Sequence, residues 1–133
     1  RPPRSTLFPY TTLFRSEELF DKMEASPATA SNPADYIDAH SLEYRELMYY
    51  GQYSLNYIFH KFMEGEQKGL RGQLMKILLD DLAPEAKLRL YAETGQEYFD
   101  EWAKGAVEVL EQHDMEWIKE NQPAMWIYLQ MVE

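Results

Sequence analysis

The chain has 133 residues, with 13 Lys and Arg against 23 Asp and Glu, and a formal net charge of −10. That length fits one domain with a core large enough to need no disulfide or metal staple. The absence of Cys excludes a disulfide scaffold, a Cys-ligated metal centre and a thiol nucleophile; the acidity argues against a direct nucleic-acid partner, and no apolar run approaches the ~20 residues of a membrane span.

A cytoplasmic location is the expectation that follows. In chain order, the first distinctive stretch is Thr6 to Ser16, TLFPYTTLFRS. It resembles, residue for residue, the conceptual translation of a sequencing-library adapter. The resemblance implies a reading frame taken from an assembled environmental (metagenomic) read, with residues 1–22 a non-native tail derived from adapter and upstream sequence. Pro9, Thr11 and Thr12 interrupt any signal-peptide apolar region. Without residues 1–16 the chain keeps 10 basic and 23 acidic side chains, a net charge of −13. Met23 is a candidate start, although Leu19 and Phe20 equally suit a genuine helix.

Residues 23–32 read as a flexible lead-in, small and polar around Pro27. Residues 33–133 read as a single helical domain. Asn32 suits an N-cap and Pro33 the first helical position. Ile37, Tyr44, Met48, Gly51, Leu55, Ile58 and Phe62 then recur at helical spacing, so Ala34 to about Met63 is expected to form one long helix. Gly51 in that seam suggests close approach of a partner helix. A shorter helix from about Lys68 to Leu82 follows, with Leu70, Leu74, Ile77, Leu78 and Leu82 as its stripe. Pro84 is expected to open a third, longest helix reaching Asn121. Its apolar line runs through Leu88, Tyr91, Gly95, Tyr98, Trp102, Ala106, Val109, His113 and Trp117, widened by Phe99, Val107 and Leu110. Glu85–Arg89 and Asp100–Lys104 are expected i,i+4 pairs. Pro123 starts a last element, apolar nearly all round, that must dock on its own bundle or on a partner. The fold class is therefore all-α: a long antiparallel helical hairpin with two short helices, closed into a small bundle alone or as a homodimer.

Three constellations bear on function. Tyr49, Tyr50, Tyr53 and Tyr57 form an aromatic band, and Met125, Trp126, Tyr128 and Leu129 an apolar terminal segment; together they are candidates for a protein-binding face. Ordinary packing against the third helix accounts equally well for the tyrosines. Glu93, Glu97, Asp100, Glu101, Glu108 and Glu111 form an acidic stripe, read either as a solvated face or as mimicry of a phosphate backbone by an acidic, phage-type inhibitor. His40, Glu43, Glu46, His60, Glu108, Glu111 and His113 supply the residue types of a carboxylate-bridged metal bundle, but no Glu-x-x-His spacing occurs. Ser41 and Ser54 lack an evident base. Lys68, Arg71 and Lys76 are expected to pair with the acidic stripe. The leading expectation is a small, non-enzymatic, cofactor-free helical protein that binds another protein or a second copy of itself. The alternatives are the DNA mimic and the metal bundle.

Overall fold

The computed structural model describes residues 4–25 and 32–132, with side chains from Leu13 onward. Among them are eight α-helices and no strand: α1 (Arg4–Glu24), α2 (Pro33–Ala39), α3 (Ser41–Tyr50), α4 (Gln52–Glu64), α5 (Leu70–Leu82), α6 (Gly95–Gln112), α7 (Met115–Asn121) and α8 (Pro123–Met131). The all-α bundle expected from the periodicity is what forms. Most of the proposed lead-in (residues 26–31) lies outside the described residues. No helix among the described residues is long and apolar enough to cross a membrane.

The long first helix is in fact three. Asn32 caps α2, its side-chain oxygen accepting from the Ala34 N–H at 3.0 Å. The chain leaves helical geometry at His40 (φ −129°, ψ 50°) and again at Gly51 (φ 55°, ψ −111°). The second break has a clear cause. Positive φ is nearly free only for glycine, and an added Cβ at Gly51 would meet nothing within 4 Å. Gly51 is therefore a hinge between α3 and α4, not the close-packing glycine that its place in the seam suggested. The break leaves the Leu47 carbonyl without its helical donor, because the Gly51 N–H turns to Met48. The buried Ser54 hydroxyl donates to it at 2.6 Å, so Ser54 is a brace.

The expected third helix also divides. Pro84–Ala86 form a 3₁₀ turn, and the chain then runs irregularly to Thr94. The Thr94 hydroxyl accepts from the Glu97 N–H and starts α6; Asp114 restarts the chain as α7 by accepting from the Trp117 N–H at 2.9 Å. The Leu88 N–H, which a helix would have used internally, donates to the Tyr98 hydroxyl at 2.9 Å. The Glu85–Arg89 pair accordingly does not form, and Lys104 pairs with Glu101 rather than Asp100. Tyr91, Val107 and Leu110 face solvent.

The core runs from α1 through α4 and α5 to α6 and α8. Its centre is aromatic: Phe59, Phe62, Phe99, Trp102 and Tyr128, with the Phe62 and Phe99 rings stacked at 4.7 Å. Where α5 meets α6 there is no side chain between the backbones. A Cβ on Gly95 would lie 2.0 Å from the Gly72 carbonyl oxygen, and one on Gly72 2.2 Å from that of Gln67. The Gln67 carbonyl accepts from the Gln96 N–H at 3.0 Å, and the Gln67 N–H donates to the Gln96 side-chain Oε1 at 3.1 Å.

At the N-terminus, Leu19, Phe20 and Met23 are fully buried, and α1 packs mainly on α4 and α3. The boundary drawn at residue 22 thus falls inside a packed helix, and Glu17 to Lys22 belong to it. Arg15, by contrast, is partly exposed and reaches Glu46 at the surface.

Two stability experiments follow. Gly95→Ala forces the α5–α6 crossing apart and is expected to cost about 2–3 kcal/mol or more. Gly105→Ala, mid-helix with nothing within 4 Å of its Cβ, should be neutral or stabilising by up to ~1 kcal/mol; urea midpoints distinguish the two. Among the described side chains, a chain beginning at Glu17 loses the Arg15 ion pairs with Glu18 and Glu46, worth ~1 kcal/mol or less each, the partly buried Leu13, and Ser16, whose buried hydroxyl has no partner among the described residues. It should unfold near the full-length midpoint. A chain beginning at Ala25 also loses three buried side chains and should be weaker by about 5 kcal/mol.

Candidate functional site

The residues of α6 divide by helical angle into a buried and an open side. Tyr98, Phe99, Trp102 and Ala106 are buried at steps of 1, 3 and 4. Glu97, Asp100, Glu101, Glu108 and Glu111 are all exposed on the opposite side, and Glu93 is exposed just before the helix. Five of the six acidic residues singled out in the sequence thus share the exposed side of α6. Lys104 stands among them, 3.2 Å from Glu101. Asp100 accepts from the Gln96 side chain at 3.0 Å. Asp100, Glu108 and Glu111 have no ion pair among the described residues.

Between this face and the end of α4 lies an open groove of about 730 Å³. Phe62, Phe99 and Tyr128 line its depth, Met63, Ala103 and Val107 its walls, and Asp100, Glu108 and Glu111 its rim. Met63 and Val107 keep 44% and 48% of their surface exposed, which leaves the groove apolar between carboxylates. The periodicity could not reveal it, since Val107 was counted with the core and Met63 closes a separate helix.

The aromatic band is dispersed. The break at Gly51 puts Tyr49 and Tyr50 on a different axis from Tyr53 and Tyr57. Tyr49 is 84% exposed, and Tyr50 is partly buried with its hydroxyl donating to Glu46 at 2.8 Å. Tyr53 is partly buried; Tyr57 is core, stacked on Phe20 at 5.5 Å. The terminal segment folds back: Met125, Tyr128 and Leu129 are buried against α4 and α6, and Trp126 is half-buried beneath the Lys119 ammonium at 4.8 Å. These side chains are occupied inside the bundle, and only Tyr49 of the eight is broadly presented to solvent.

The small basic cluster of α5 does not serve the acidic stripe. Arg71 clasps α1, bonding Glu17 at 3.0 Å, Asp21 at 2.7 Å, Glu24, and the Tyr57 hydroxyl at 2.7 Å, with its guanidinium 5.3 Å from the Phe20 ring centre. Lys76 pairs with Asp80 at 3.6 Å and lies over Tyr98; Lys68 pairs with Glu66 at 3.4 Å. Burial raises the Glu17 carboxyl, but hydrogen bonds from Tyr57 and Arg71 outweigh it and hold the group below its ordinary value. Hydrogen bonding to Arg15 brings Glu46 down to about 2.

The metal-bundle residues do not assemble. Among the described residues no three His, Asp or Glu side chains are grouped so that they could hold a metal ion. His40 is beside Glu43 at 3.5 Å, His60 is exposed, and His113 stacks on Trp117 with ring centres 3.5 Å apart. The chain matches no protein-family model, no curated protein and no solved structure.

The clasp makes α1 acid-sensitive. A carboxyl whose folded pKa is depressed contributes stability that is complete above its unfolded value and is lost as pH falls through the folded one. Glu17 therefore stabilises the docked helix above about pH 5, and that share disappears on acidification. Carboxyl titration by NMR should show Glu17 below its ordinary value in the full chain and in one lacking residues 1–16. Glu46 should titrate near 2 only while Arg15 is present.

Proposed function

We propose that this protein works by binding another protein, and that the groove along α6 is the surface it uses. The observation that carries the reading is the coincidence of apolar walls with an unpaired carboxylate rim. Met63 and Val107 stay open beside Asp100, Glu108 and Glu111. Exposed apolar surface edged by one sign of charge fits a segment carrying apolar and basic residues. No catalytic or cofactor role is part of the proposal.

The same rim supports the DNA-mimic reading less well. A phosphate imitation needs an array of charge and gains nothing from an apolar trough. Lys104, in the middle of the stripe, weakens the imitation further.

A synthetic helix about five turns long, with Leu on one face and Lys on the other, tests this against a scrambled peptide of identical composition. Fluorescence anisotropy with the full chain should show the amphipathic peptide binding at least about tenfold tighter than the scrambled one, ~1.4 kcal/mol. Glu108→Lys with Glu111→Lys should remove that preference. Equal binding of both peptides would mean unspecific charge attraction and sink the groove reading.

A further inference from the structure

The groove has a counterpart on the same chain. Between the 3₁₀ turn and α6, the sequence Lys87-Leu88-Arg89-Leu90-Tyr91 forms the edge of a second depression, together with Lys76, Asp80 and Glu85. Lys87 and Arg89 are exposed and have no ion pair among the described residues, in a chain with a net charge of −10. Leu90 keeps 41% and Tyr91 84% of its surface open to solvent. The stretch is held in place from behind: Leu88 is half-buried, and its N–H donates to Tyr98, which in turn donates to Asp80. It is thus a fixed projection carrying two free cations and two apolar side chains.

We infer that the occupant of the α6 groove is the 87–91 projection of a second copy of this chain. The inference rests on the protein-binding reading above and names the partner. Charge complementarity carries it. Asp100, Glu108 and Glu111 are carboxylates without cationic partners at the groove, and Lys87 and Arg89 are cations without anionic partners at the projection. Nearby opposite charges are already committed: Lys104 to Glu101, and Asp80 to Lys76 and Tyr98. Among the residues lining the depression, Glu85 is the one acid left uncommitted. Leu90 and Tyr91 supply what the Met63, Ala103 and Val107 walls lack.

The two surfaces share no lining residue, so one chain can use both at once, in a reciprocal two-fold pair or head-to-tail. A projection of five residues makes a small interface, of the kind that associates weakly and reversibly.

The test uses two full-length variants altered only at exposed positions. One carries Arg89→Gln and Tyr91→Gln and keeps its groove; the other carries Glu108→Lys and Glu111→Lys and keeps its projection. By light scattering, the unaltered chain should exceed the 15.8 kDa of one copy at high concentration and return to it on dilution or added salt. Each variant alone should stay at one copy. Mixed, they should form a pair of one each and stop there, because only one matched contact remains. If the unaltered chain stays at one copy at every concentration, the self-docking inference is wrong, while selective binding of the amphipathic peptide would keep the groove reading. Assembly that survives in both variants, or a mixture that stays unpaired, also overturns it. Failure of the peptide experiment as well would remove both.

Discussion

Everything in the second half of the molecule depends on the backbone contact between Gly72 and Gly95. A glycine in a helix costs about 1 kcal/mol of propensity against alanine. Here the missing side chains let two helix starts touch, with the Gln67 carbonyl beneath Gly72 and bonded to the Gln96 N–H. That contact fixes both the position and the rotation of α6. Its rotation turns Tyr98, Phe99, Trp102 and Ala106 inward and leaves Val107 and Leu110 outward. The groove wall at Val107 is therefore a consequence of that crossing.

The use of charge is consistent with this. Most of the basic side chains described are tied to a nearby acid or ring: Arg71 to α1, Lys76 to Asp80, Lys61 to Glu17 and Glu64, Lys104 to Glu101. The α6 stripe keeps like charges one turn apart at Glu97 and Glu101, and such a pair is unfavourable by a few tenths of a kcal/mol. Packing of the opposite face holds the helix together despite that repulsion.

The sequence made the helical faces legible, since spacing alone brought out Leu55, Ile58 and Phe62 and then Tyr98, Trp102 and Ala106. It was less informative about where helices stop. Thr94 with Glu97 three residues on, and Asp114 ahead of Met115, are start signals in plain view; a continuous apolar period across residues 84–121 outweighed them. Gly51 was read as a packing glycine and Gly95 as one more seam position, whereas positive φ at the first and backbone contact at the second distinguish them. Only the three-dimensional neighbourhood separates those two uses of glycine. The Arg71 clasp was out of reach for a similar reason: Glu17, Asp21 and Glu24 form a stripe, but nothing local names a partner some fifty residues away. The α6 acids were found because exposure and charge are local properties. The groove beside them was not, because it forms between elements.

Charge also restricts how two copies can meet. A two-fold dimer joined through the α6 face would set Asp100, Glu108 and Glu111 of one copy against the same residues of the other. Like charges held across a contact oppose association, and at such a contact they lie within the ~8–10 Å over which ordinary salt screens charges incompletely. A symmetric pairing through this face is therefore disfavoured by the residues that make the face distinctive. The basic projection escapes that conflict, because it brings the opposite sign from a different part of the chain. Self-contact of groove with projection sets opposite charges together, and whether it closes as a reciprocal two-fold pair, closes into a larger ring or continues is set by the angle that α6 makes with the 87–91 segment.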